Sequence, residues 1–258
     1  MRKAAMHVAV FFIMLSLIAP MLAAEDRAGC ETGYDYGATK GPGQWGGLKT
    51  EWQRCDVGRY QSPIAFFSEP QDQTLSRNTL AYPATAYDIA NNGLTVKLEP
   101  KNNAGTITRD GVTATLKEVH FHVPAEHTIN QVPAAAEMHL VHALPDGRLV
   151  VTAVLINSSS AANATLQQII NHIPSACGGT GRIDNLSLAA LMPQKDHYFT
   201  YFGSLTTPPC TEGVTWIVYA QEITASSAQI NALKIAAKTG NARPIPGFVR
   251  WRTWQGIP

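Results

Sequence analysis

Short alternating or fully apolar runs dominate the chain. Val112-Thr-Ala-Thr-Leu116 and Val214-Thr-Trp-Ile-Val-Tyr219 are rich in branched and aromatic residues, which suit a pleated surface buried on one or both faces. Leu94-Thr-Val-Lys-Leu98 follows the turn signal Asn91-Asn92-Gly93 and predicts a further strand. Gly111 separates Thr106-Ile-Thr108 from Val112–Leu116 and predicts a hairpin. Glu137–Leu144 and Leu149–Asn157 flank Pro145-Asp146-Gly147, residues that suit a tight turn. Helical spacing is confined to two places. Asn163 can cap a short helix with Leu166, Ile169, Ile170 and Ile173 on one face. Ser226 and Gln229 form a capping box before Ile230, Leu233 and Ala237. The tail from Asn241, rich in Pro, Arg and Trp, reads as irregular but packed. No repeat or low-complexity linker divides the chain. The pattern predicts a mainly β (α+β) single domain, with one large twisted, mostly antiparallel sheet and short peripheral helices; about ten strands are expected.

The first residues stand apart from this pattern. Arg2 and Lys3 precede an apolar stretch from about Val8 to Leu22, and Ala23 and Ala24 follow. This is the make-up of a secretory signal peptide cleaved near Ala24, leaving residues 25–258 as one domain. A membrane anchor is the competing reading, but the stretch is short for a spanning helix and Pro20 suits cleavage. Ala28-Gly29-Cys30 partly fits a lipidation box, with Arg27 where an apolar residue belongs. Removing Arg2 and Lys3 takes the formal net charge from +1 to −1. A chain so near neutrality gives no electrostatic case for nucleic acid, nor for a membrane once the leader is gone. The compartment expected is the periplasm, with full secretion as the alternative. Four cysteines (Cys30, Cys55, Cys177 and Cys210) suggest disulfides in an exported chain; three pairings and four free thiols are all open at this level.

The chemistry is concentrated in Val119-His120-Phe121-His122 and Glu137-Met138-His139. Residues i and i+2 of a strand share a face. Two imidazoles on one strand and a third on its neighbour can therefore grip one metal and leave a fourth position open. Glu118 and Glu137 each stand two residues before a histidine, where a carboxylate can accept the ligand's second ring N–H. Glu126 reads as either a surface charge or a buried acceptor.

These strings have company along the chain. His120-Phe-His122, Glu126-His127-Thr128, Glu137-Met-His139-Leu-Val-His142 and Ser204-Leu-Thr-Thr-Pro-Pro-Cys210 occur in order. So do Tyr36-Gly37, Gly41-Pro42, Gln61-Ser-Pro-Ile64, Asn91-Asn-Gly93, Thr215-Trp-Ile217 and Asn241-Ala-Arg-Pro244. Together they resemble an α-class carbonic anhydrase. The resemblance implies that fold, and Zn²⁺ on His120, His122 and His139 with water as the fourth ligand. That water, acidified to about pKa 7 as is known for the family as a class, would attack CO₂ and release bicarbonate. Thr206 would accept from the reacting oxygen and donate to Glu126. Glu118, Glu137 and Asn241 would support the ligands. Val141, Val151, Leu205, Val214 and Trp216 match an apolar CO₂ wall, with Thr207, Tyr36 and Asn92 on the water-bearing side. His127, His142, Tyr201 and Arg243 match a buried polar framework. Cys55 and Cys210 match a disulfide of exported relatives. Closing that loop of 155 residues stabilises by about 5 kcal/mol in the chain-entropy model. Cys30 and Cys177 are then left over, for a second disulfide or, as the alternative, two free thiols. Sulfonamides and anions are expected inhibitors, and a homodimer is left open.

Three positions depart from the family pattern. Leu94 replaces the histidine that relays a proton in fast members, so turnover is expected to lean on external buffer; His172 and His197 are the possible substitutes. Glu118 replaces a glutamine, which predicts a less acidic metal. Lys97 replaces a neutral polar residue on the wet side, where an exposed lysine is the ordinary reading. Two other functions compete: a non-catalytic binding module on the same scaffold, and a zinc hydrolase acting on esters. The full set of ligands with Thr206 and Glu126 argues against the first. The narrow apolar pocket, with no evident acid for a leaving group, argues against the second.

Overall fold

The computed structural model describes residues 30, 32–67, 78–102, 105–194, 197–238 and 240–247. The expected leader, residues 1–24, lies outside them. Fourteen strands are present among the described residues: β1 (Ala65–Phe66), β2 (Asn78–Ala81), β3 (Thr85–Asn91), β4 (Val96–Pro100), β5 (Thr106–Arg109), β6 (Val112–His122), β7 (Thr128–Ile129), β8 (Val132–Pro133), β9 (Ala136–Ala143), β10 (Leu149–Ser159), β11 (Thr180–Leu186), β12 (Tyr198–Ser204), β13 (Glu212–Tyr219) and β14 (Ile223–Ser226). Eleven form one sheet in the order β11-β3-β4-β6-β9-β10-β13-β12, with β5 on β6, β2 on β5 and β14 on β10. Its pairings are antiparallel except for β10 with β13 and with β14. A small sheet, β1-β7-β8, lies apart.

The expected mostly antiparallel sheet is therefore present. The hairpins form where predicted: β5 pairs β6 around Gly111, and β9 pairs β10 around Gly147, both glycines at positive φ. The strand expected at Leu94 starts two residues later. Asn92 Oδ1 accepts from the N–H groups of Leu94 and Thr95, at 2.9 and 2.8 Å, and so holds both in the loop. The helices are short: α1 (Trp45–Leu48), α2 (Arg54–Val57), α3 (Ala164–Ile170) and α4 (Ser227–Ala236). Asn163 Oδ1 caps α3 through Leu166 N–H, and Ser226 with Gln229 forms the capping box of α4. Leu166, Ile169 and Leu233 are buried, and Ile170, Ile173 and Ile230 pack against the same core.

The large core fills one face of the sheet. A second cluster, with Ile64, Phe66, Val151, Phe199, Val214 and Trp216, lies by the histidine strands. Both disulfides form, Cys55–Cys210 and Cys30–Cys177. Cys55 and Cys210 pack with Trp45 and Trp52 in a small core of their own. Cys30–Cys177 crosses the Asn91–Gly93 turn so closely that a side chain at Gly93, whose φ is +76°, would collide with its sulfurs. The tail from Asn241 to Gly247 has no regular structure, yet Asn241 and Arg243 are buried. No described helix is long and apolar enough to cross a membrane.

Candidate metal centre

β6 and β9 pair so that His120 stands directly opposite His139, with His122 two residues further along β6. The period of two turns all three rings to one face. His120 Nε2 and His139 Nδ1 face each other at 3.3 Å. His122 Nε2 is buried with no hydrogen-bond partner. All three donors fit within a 4.8 Å cluster.

Two of the nitrogens that point away from the cluster are anchored. His122 Nδ1 donates to the Asn241 carbonyl at 2.8 Å, and His139 Nε2 donates to Glu137 Oε1 at 2.7 Å. With those protons fixed, the inward nitrogens are lone pairs. Burial holds both rings neutral: it pushes His139 down to about 4, and His122 well below its ordinary range, with repulsion from the neighbouring histidines adding to the effect. Neutral rings with lone pairs converging on one point are unfavourable to leave unpaired. A tetrahedral ion with Zn–N bonds of about 2.0–2.1 Å separates its donors by about 3.3–3.4 Å, the spacing found between His120 and His139. The donor set therefore fits a zinc ion. A second grouping, His127–Glu137–His139, is already satisfied internally and offers no such vacancy of hydrogen bonds.

Glu137 is the keystone of the floor. Its Oε1 accepts from His127 Nδ1 and His139 Nε2, at 2.6 and 2.7 Å; its Oε2 accepts from the N–H groups of Glu126 and His127, both at 2.8 Å. Burial opposes its charge, but the two histidines and these bonds hold the carboxyl well below its usual range. His127 Nε2 continues to Tyr201 Oη at 2.7 Å, which donates to Ser62 Oγ at 2.8 Å. Arg243 braces the same region through Gln61 Oε1, the Ser62 carbonyl and the Cys55 carbonyl. Asn241 Oδ1 accepts from Val123 N–H, and its Nδ2 donates to the Leu94 and Phe121 carbonyls. His127, His142, Tyr201 and Arg243 are all buried.

Glu126 is a buried acceptor. Arg243 N–H bonds to its Oε1 at 2.9 Å, while Oε2 takes no aligned hydrogen bond. Burial and the Glu137 carboxylate push it up, and the Arg243 amide and Thr206 pull it back. Thr206 is buried just after β12, and Cys210 N–H closes its loop on the Thr207 carbonyl at 2.8 Å.

The five expected wall residues meet in one cluster. Val151 pairs with Val141 on one side and Trp216 on the other, and Val214 and Leu205 pack with them. The water-bearing set is less convergent. Tyr36 and Leu94 line one cavity of about 460 Å³. Thr207 lies near Tyr34. Asn92 spends its side-chain oxygen inside its own turn. His172 is bonded to the Gln168 carbonyl, and neither it nor His197 lines the Leu94 cavity.

Lys97 departs from the exposed-lysine reading. It stands opposite His120 in the β4–β6 register, and its Nζ contacts Glu118 Oε2 at 2.7 Å and Glu99 Oε1 at 2.9 Å. Glu118 Oε1 lies 3.0 Å from His120 Nδ1, close but off the hydrogen-bond axis. Against its burial, His120 and Lys97 bring the Glu118 carboxyl down to about 2. Charge alternation at positions two apart was readable in the sequence; the β4–β6 register that joins it was not.

Residues 40–255 match the family model described as eukaryotic-type carbonic anhydrase. A carbonic anhydrase of Klebsiella pneumoniae is 36% identical, with 82% of this chain and 86% of that protein covered. Dioscorin DB3S of Dioscorea polystachya is 35% identical over 83% of each. The α-carbonic anhydrase of Thermovibrio ammonificans, solved with the inhibitor sulfanilamide, superposes with a TM-score of 0.79 at 31% identity, covering 85% of this chain and 97% of that one. Sequence and fold agree over nearly all of the described residues, and the chain belongs to the eukaryotic-type carbonic anhydrase family.

Proposed function

We propose that this chain is an exported, zinc-dependent carbonic anhydrase that interconverts CO₂ plus water with bicarbonate plus a proton. The observation that carries the reading is the convergence of three imidazoles on one point, with His122 and His139 held neutral and fixed by bonds from the opposite ring nitrogen. Bound zinc supplies a Lewis acid that lowers the pKa of a coordinated water to about 7, a value known for carbonic anhydrases as a class. His120, His122 and His139 would hold the ion; Glu137 and Asn241 fix the rings of His139 and His122, and Glu118 faces that of His120.

Thr206 orients the reacting water. Its hydroxyl accepts from that water and donates to Glu126, whose Oε2 is buried and open to a donor. The lone pair is thereby aimed at CO₂, and anions lacking a proton to donate are disfavoured. CO₂ carries no net charge or dipole, so the dry surface of Val141, Val151, Leu205, Val214 and Trp216 suits it and keeps bulk water from its carbon. The released proton leaves through solvent and buffer, since Leu94 cannot titrate. Sulfonamides should compete at the metal, as sulfanilamide is an inhibitor of the Thermovibrio ammonificans relative.

Cleavage near Ala24 and residence in the periplasm complete the proposal; two disulfides fit an oxidising compartment. The test is CO₂ hydration by stopped flow on the purified protein, after zinc extraction, and after zinc is restored. Activity should vanish and return. Hydration at the spontaneous rate in the zinc-loaded protein overturns the reading.

A further inference from the structure

Two of the three departures from the family pattern touch each other. Glu118 stands two residues before His120 on β6, and Lys97 stands opposite His120 on β4. The pleat brings both side chains to the metal face, where they meet at 2.7 Å. The other Glu118 oxygen rests 3.0 Å from His120 Nδ1. A lone carboxylate there would add a negative charge beside the ligand, and a lone ammonium would add a positive one. Paired, they present an acceptor oxygen to His120 with little net charge, as a neutral amide would.

We infer that Lys97 and Glu118 act as one electrically balanced unit in which Lys97 is a positioning residue that sets how much negative charge reaches His120 and hence how tightly zinc is held. Lys97 never touches substrate or metal; it acts through Glu118. The side-chain exposures support the pairing: Lys97 is 33% exposed and Glu118 28%, so the contact is partly shielded from water. Glu99, at 58%, holds Lys97 from the solvent side and is the more screened partner. No other described carboxylate pairs with Lys97. The inference rests on the zinc reading of the histidine cluster.

Two single substitutions separate charge balance from a merely structural role. Lys97→Gln leaves Glu118 uncompensated beside a dication, which should tighten zinc about 5-fold; Glu118→Gln leaves the ammonium opposed only by the solvent-screened Glu99 and removes an outer carboxylate, which should weaken zinc about 10-fold. The double variant should return to within about 2-fold of the unmodified protein, and Lys97→Arg should match it. The readout is the zinc dissociation constant by chelator competition, with thermal unfolding of each metal-free variant confirming that it folds. A structural brace predicts that both single substitutions weaken zinc, and an incidental surface pair predicts no change in Lys97→Gln; either result overturns the inference. Uptake of zinc by the unmodified protein with a flat Lys97→Gln response defeats this inference alone. Failure of the unmodified protein to bind one zinc defeats the site reading and the inference together.

Discussion

His122 and His139 are each 1% exposed, and their outward nitrogens end on a main-chain carbonyl and on a carboxylate that already holds three other donors. His120 is 16% exposed on its side chain, and its outward nitrogen faces Glu118, which leans on Lys97, which leans on Glu99. One side of the cluster is a closed network in which every bond is made within the protein. The other is a short chain of charges running out to water. Buried polar groups left without partners cost far more than exposed ones. The floor should therefore fail by losing the fold, whereas the rim should respond by tuning the site.

The largest effect is expected at Glu137. Glu137→Ala strands two buried ring N–H groups and two main-chain N–H groups, each costing about 1–3 kcal/mol. A loss of more than about 4 kcal/mol should appear in urea unfolding, large enough to leave little folded protein. A floor that tolerates this change with less than about 1 kcal/mol lost would erase the contrast between the two sides.

Next is the acid limb of stability, read on the metal-free protein. His142 is buried; its Nδ1 donates to the Val150 carbonyl and its Nε2 accepts from Tyr82 Oη, an arrangement that needs a neutral ring. Burial pushes its pKa down to about 4, from an ordinary value near 6.5. The unfolded chain thus takes up the proton first. The stability contributed is fully present above about pH 6.5 and is lost as pH falls toward 4, amounting to about 3 kcal/mol. Denaturation at pH 7 and pH 4.5 should show His142→Gln losing less on acidification than the parent. An equal loss in both would mean other groups set the acid limb.

Thr206 sits between floor and rim. Thr206→Val keeps the volume and deletes the hydroxyl, so zinc affinity should hold while kcat/KM falls about 100-fold, the scale of removing one preorganised polar contact to the reacting atoms. Equal falls in metal affinity and rate would make Thr206 part of the support rather than the gate.

This division also explains what the chain disclosed before its structure was known. The histidine cluster was readable because strand periodicity is rigid: positions 120 and 122 must share a face, and a Glu two before a His must lie beside it. Asn92 and Gly93 announced a turn, but not that Asn92 would bond two amides and delay β4 until Val96. Wall residues such as Val151 and Val214 look like any core position, and only the family resemblance separated them. Glu126 could not be assigned to surface or interior from its neighbours, because the donor its carboxylate meets is the amide of Arg243, 117 residues away. Lys97 gave no sign of its ion pair for the same reason. Its partner Glu118 is supplied by a neighbouring strand, and pairing register is not written in either strand alone.

The smallest effect belongs to Leu94 at the rim. Each hydration releases a proton, and a leucine can neither accept nor relay it. Gly93 and the Cys30–Cys177 bridge fix the backbone on one side, and Asn241 Nδ2 holds the Leu94 carbonyl at 2.8 Å on the other. The position is therefore rigid, and a new side chain there should enter the cavity shared with Tyr36 without disturbing the ligands. In dilute buffer Leu94→His should raise turnover several-fold, since imidazole titrates near neutral pH. In concentrated imidazole buffer the two proteins should converge, because the external carrier then does the same task. A parent enzyme whose rate does not depend on buffer concentration would place the proton route elsewhere and show that the open side is not the side that limits turnover.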